Sequence, residues 1–161
     1  MMADEDDDQE QDETPEPPQR LFTLTEAERV RQELEPFLVE AMDCRKKLAG
    51  LENDLSAVSA RIMMMGGVIV PYEKLAALRT EHNQLAETMK SALSRILETG
   101  CLIKDLDVGL LDFPAVIDNQ DVYLCWKVGE DRIRFYHRQD EGFAGRKPLD
   151  QRDPGPGDKV Q

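Results

Sequence analysis

The stretch LLDFPAVIDNQDVYLCWKVGEDRIRFYHR, residues 110–138, decides the fold, because its apolar residues return at every second position. Leu111, Phe113, Ala115 and Ile117 alternate with Asp112 and Pro114, and Val122, Leu124, Trp126 and Val128 alternate with Tyr123, Cys125 and Lys127. Ile133, Phe135 and His137 then alternate with Arg134, Tyr136 and Arg138. A period of two is that of a strand with one face buried. Asp118-Asn119-Gln120-Asp121 and Gly129-Glu130-Asp131 interrupt the runs with turn-forming residues. The pattern predicts three antiparallel strands in a meander, with Cys101–Leu106 as a fourth.

A slip of one residue would turn a strand over, so the apolar sets also predict a register. Pairing Ile117 with Val122 and Val128 with Ile133 gives the rows Leu111–Val128–Ile133, Phe113–Trp126–Phe135 and Ala115–Leu124–His137 on a core face. The opposite face carries Asp112, Cys125, Tyr123 and Arg138 and reads as solvated. Pro114 has no amide hydrogen, which suits an edge strand.

Upstream the period changes to that of helices. Thr23 and Glu26 form a capping box, with Phe22 and Ala27 placed as its hydrophobic staple. Apolar residues then step by four and three along Val30, Leu34, Phe37, Ala41, Cys44, Leu48, Leu51, Leu55, Val58 and Ile62, which is a heptad seam. Pro36 lies inside it and predicts a kink. Gly66-Gly67 stop the helix and Pro71 opens a second, with the seam Leu75, Leu78, His82, Leu85, Met89, Ala92 and Ile96. Folding about that turn sets Leu55 against His82, Leu48 against Met89 and Ala41 against Ile96 in a coiled-coil-like antiparallel hairpin. Val30 and Leu34 are left without a helical partner, and the core face of the sheet is the natural cover.

The expected fold is therefore α+β: a long, Pro-kinked antiparallel helical hairpin packed at its base on a small antiparallel β-meander of three to four strands. Its expected divisions are a disordered acidic tail over 1–21, the hairpin over 22–100, the sheet with a Gly-rich loop over 101–149, and a disordered tail over 150–161. The 161 residues carry 33 acids against 20 Lys and Arg, a formal charge of −13. Nine of those acids, and no base, lie in the first nineteen residues. The rest of the chain is near balance, which argues against nucleic acid or anionic lipid as partner. No apolar run approaches the roughly 20 residues of a membrane span. Cys44, Cys101 and Cys125 form no disulfide framework, so a cytoplasmic location is expected.

Phe22-Thr23-Leu24, Lys104-Asp105-Leu106, Gly109-Leu110-Leu111-Asp112-Phe113-Pro114, Leu124-Cys125-Trp126, Gly129-Glu130 and His137 through Gly142-Phe143-Ala144-Gly145-Arg146 together resemble a bacterial family of unknown function, over roughly residues 22–149. The resemblance implies no activity; it supports the architecture.

Three places bear on function. His137 with Asp140, Glu141 and Arg146 would supply an acid–base pair and an anion clamp on a loop freed by Gly142 and Gly145. The same charges would serve equally as a structural clasp. Lys104, Asp105 and Asp107 would bring a cation and two carboxylates to a loop near the sheet, or cap a turn before Gly109. Lastly, Met63, Met64, Met65, Val68, Ile69 and Val70 make the hairpin tip almost wholly apolar, which marks a contact surface. No metal site and no cofactor are expected, since one His with two carboxylates is too small a set and no Cys stands at ligand spacing. The catalytic set is incomplete, so an enzyme is not the first expectation. The leading expectation is a non-enzymatic interaction or scaffold module that self-associates or binds a protein through the hairpin and its tip. The alternative is a binder of a small anionic ligand, or an enzyme, with its site at His137, Asp140 and Arg146.

Overall fold

The computed structural model describes residues 19–66 and 72–149. Helix α1 spans Leu24–Met64 and α2 spans Tyr72–Glu98; strands β1 (Leu102–Asp105), β2 (Leu110–Ile117), β3 (Gln120–Lys127), β4 (Phe135–Arg138) and β5 (Lys147–Pro148) follow. A single 3-10 turn, Phe143–Gly145, precedes β5. Thr23 caps α1 as its sequence requires: its hydroxyl accepts from the Glu26 amide at 3.2 Å. Phe22 and Ala27, the staple pair, are both buried. Pro36 stands within one continuous α1, where it deprives the Gln32 carbonyl of a helical donor. Val68, Ile69 and Val70 at the tip, and most of both expected tails, lie outside the described residues.

The sheet is a five-stranded antiparallel meander in chain order, β1 to β5. Asp118 and Asn119 adopt φ of 50° and 62°, so β2 and β3 join in a two-residue turn with Ile117 opposite Gln120. This tight turn moves the β2–β3 pairing by two residues from the expected one: Leu111 faces Trp126, Phe113 faces Leu124 and Ala115 faces Val122. The faces survive that shift, because it is even. The β3–β4 pairing differs by one residue, with Leu124 opposite Tyr136 and Tyr123 opposite His137, and so β4 is turned over.

The cause lies in the β3–β4 connection, which is wider than the alternation implies. The Trp126 indole donates to the Glu130 carbonyl at 3.0 Å, and Glu130 in turn accepts from the Lys127 amide at 2.6 Å. The Ile133 amide is bound by the Glu28 carboxylate of α1. Ile133 is thereby buried from the loop rather than from a strand, and His137 leaves the core face.

The core joins Val30, Leu34 and Leu38 of α1 to Leu111, Phe113, Ala115, Leu124 and Trp126 of the sheet. The unpartnered end of the α1 seam is covered by the strands, as its pattern predicts. Leu38 is fully buried where the seam expects Phe37, which is half-buried against α2 with Arg95 5.4 Å over its ring. At this level α1 faces both α2 and the sheet, so its buried arc is wider than one heptad stripe. Pro114 lies beyond the last β1 pairing at Asp112, on the stretch of β2 that is an edge, and its carbonyl accepts from the Phe22 amide at 2.7 Å.

Outward from Leu51 in α1 and Ala92 in α2, no described residue of the hairpin is buried. Leu55, Val58, Leu75, Leu78 and Leu85 are half-buried between the two helices, and His82 reaches Glu52 at 3.5 Å. The hairpin is thus an arm whose inner half belongs to the core and whose outer half packs only on itself.

Candidate functional site

Turning β4 over has a chemical result. Asp112 on β2 pairs with Cys125 on β3, and His137 on β4 pairs with Tyr123, two residues from Cys125 on the same face. Residues directly opposite and diagonal on one face are side-chain neighbours. One ligand atom from each of Asp112, Cys125 and His137 lies within 4.8 Å of the other two, and all three residues are buried. The face expected to be solvated is covered here by the segment after β4, which carries Glu141, Gly142 and Phe143 over it.

His137 is held from both sides. Its Nδ1 lies 2.8 Å from the Arg138 carbonyl, which only accepts, so Nδ1 carries the proton and donates. Its Nε2 faces Asp112 Oδ2 at 3.0 Å, and the Tyr123 ring meets the imidazole edge-on at 5.5 Å. Asp112 Oδ1 is buried and makes no hydrogen bond. Burial raises the Asp112 carboxyl above its ordinary range, against the pull of His137, the adjoining Cys125 thiol and Lys104. Burial also pushes the Cys125 thiol up to about 12, helped by the neighbouring Asp112 charge. Above the three residues is a cavity of about 150 Å³, bordered by Lys104, Glu141 and Phe143.

Of the residues expected at a site, the cavity brings together His137, Lys104 and Glu141. Lys104 sits at an irregularity in the β1–β2 pairing, with Nζ 4.6 Å from the centre of the Tyr123 ring. Asp105 is exposed and caps the following turn, accepting from the Asp107 and Val108 amides at 2.9 and 3.3 Å. Asp140 is exposed and does not border the cavity. Arg146 lies behind Phe143: it bonds Glu130 at 2.7 Å, and its guanidinium is 4.1 Å from the Phe135 ring centre and 4.7 Å from that of Phe143. Its planar face and one edge are committed to holding the loop on the sheet. Met63, Met64 and Met65 stand apart at the arm's end, 83%, 87% and 60% exposed.

Asp112 and Cys125 were not expected at a site. Their shared face is legible in the alternation, but their nearness to His137 depends on a β4 register set by a loop that no period describes.

A helical hairpin docked on a five-stranded antiparallel sheet, with a small pocket on the sheet's far face, defines the class of this molecule. Within that class the chain belongs to the uncharacterised conserved protein family DUF2203, whose profile matches residues 20–149. No curated protein and no solved structure shows significant similarity to the chain. No described helix is long and apolar enough to cross a membrane.

Proposed function

We propose that the protein binds a small ligand in the cavity above Asp112, Cys125 and His137. The observation that carries this reading is Asp112 Oδ1, a buried carboxylate oxygen with no partner, bordering a space of about 150 Å³. A buried acceptor left unpaired costs about 1–3 kcal/mol, more when charged. A ligand that supplies a donor or a positive charge recovers that cost. This shifts the ligand from the anion expected around Arg146 toward a hydrogen-bond donor or a cation. Three free, buried cysteines fit a reducing cytoplasm.

A thermal-shift screen of wild type and Asp112→Asn against amines, guanidines, amides and small anions tests the reading. A compound that raises the wild-type melting temperature and leaves Asp112→Asn unmoved supports it. A wild type stabilised by none of these, or by anions equally in both proteins, counts against it.

A second reading rests on a separate observation. Among the described residues the outer arm buries none, and Met63, Met64, Met65 and Tyr72 stand exposed toward its end. Apolar surface of that kind serves association with a second copy or a protein partner. Sedimentation velocity of wild type and a Met63→Ser, Met64→Ser, Met65→Ser variant tests it: a smaller assembly in the variant supports it, and two identical monomers sink it.

A further inference from the structure

Resting on the cavity reading above, we propose that Asp112 Oδ1, Cys125 Sγ and His137 Nε2 form a three-ligand site for a divalent transition metal of the zinc class, its remaining coordination position opening into the cavity. The donor set is oxygen, sulfur and nitrogen, the combination that borderline ions such as Zn²⁺ and Co²⁺ take in tetrahedral sites. Bonds of about 2.0–2.3 Å place tetrahedral ligands roughly 3.3–3.8 Å apart. One ligand atom from each of the three residues lies within 4.8 Å of those of the other two, which brings the set near that spacing.

One further feature points to a metal rather than to an organic cation. His137 is prepared as a ligand: its Nδ1–H is anchored on the Arg138 carbonyl at 2.8 Å, which leaves Nε2 as the coordinating atom and fixes the ring. Three protein ligands with a vacant direction is the pattern of a site that binds or activates a further molecule, in contrast to a closed four-ligand structural site. The cavity would house that molecule between Lys104 and Phe143.

The test is Co²⁺ titration of the full chain after chelator treatment, followed by absorbance. The expected result is one Co²⁺ per chain and a thiolate-to-cobalt charge-transfer band that Zn²⁺ abolishes. The band disappears in Cys125→Ser and persists in Cys44→Ser, and Asp112→Asn weakens binding at least about tenfold. Circular dichroism reports whether each variant folds; should Cys125→Ser fail to fold, His137→Gln and Asp112→Asn carry the test. A wild type that binds no Co²⁺, or a band that follows Cys44, overturns the metal assignment. If an amine or guanidine nevertheless stabilises wild type but not Asp112→Asn, the cavity reading stands without the metal. If neither kind of ligand binds, both fall.

Discussion

Arg146 shows how one residue type serves two readings until its neighbours are known. On sequence it is an anion clamp or a clasp; in the fold it bonds Glu130 and lies within 4.1 and 4.7 Å of the Phe135 and Phe143 ring centres. Lysine keeps the charge but loses the plane that stacks on both rings. Arg146→Lys is expected to cost about 1–3 kcal/mol in urea unfolding, with the loss falling on stability whether or not a ligand is present. An unchanged midpoint would show that the stacking contributes nothing. Cys125 gives a prediction with a sign. Its thiol is raised from 9.0 to about 12, so the folded chain stays protonated where the unfolded chain ionises. The unfolded state then binds fewer protons, and the stability from the neutral thiol is complete below about pH 9 and lost as pH rises toward 12. Replacing Cys125 by Ala should make the fall of unfolding free energy over that window shallower by about 1.4 kcal/mol per pH unit. Equal slopes in the two proteins would place the thiol in water.

Among the elements, the β1–β2 connection is the least tolerant of change. Gly109 has a φ of +74°, and a Cβ there would meet Val128 Cγ1 at 2.5 Å and the Met42 sulfur at 2.9 Å. Gly129 has a φ of +99° but open space around it. Gly129→Ala should therefore cost about 1 kcal/mol of backbone strain, and Gly109→Ala more than about 2 kcal/mol. Chemical denaturation of the two variants checks the order, and similar costs would mean that the strand end yields to admit the methyl group. The same elements show what the sequence makes legible. Alternation and heptad steps identify both helices, the main strands and the face that Val30 and Leu34 cover, because those signals arise from burial along a regular element. The pairing of β4 was not legible, because it follows from the Glu28 carboxylate bonding a loop amide 105 positions away. The candidate site was half legible for the same reason: His137 stands out alone, while Asp112 and Cys125 gain their meaning from the strand beside them. β5, two residues long and containing Pro148, carries no periodic signal.

On the scale of the molecule, stability is graded along the hairpin. The base is locked into the core through Leu34, Leu38 and Ile96, whereas from Leu55 outward the seam is only half-buried. Amide hydrogen exchange should follow that gradient: slow for residues 30–51 of α1 and the centres of β2 and β3, and progressively faster toward Met64. Uniform protection to the end of α1 would mean that the arm is covered in solution, by a second copy or a partner. The two ends of the sheet bear on that alternative. At one margin β1 is four residues long, irregularly paired and bears Lys104 and Asp105; at the other, β5 is two residues long and ends on Pro148, which offers no amide donor. Short, charged or proline-bearing margins refuse an incoming strand. The sheet is thus guarded against cross-β aggregation on both flanks, and a concentrated preparation should remain free of thioflavin-positive fibrils even where copies meet through their helices.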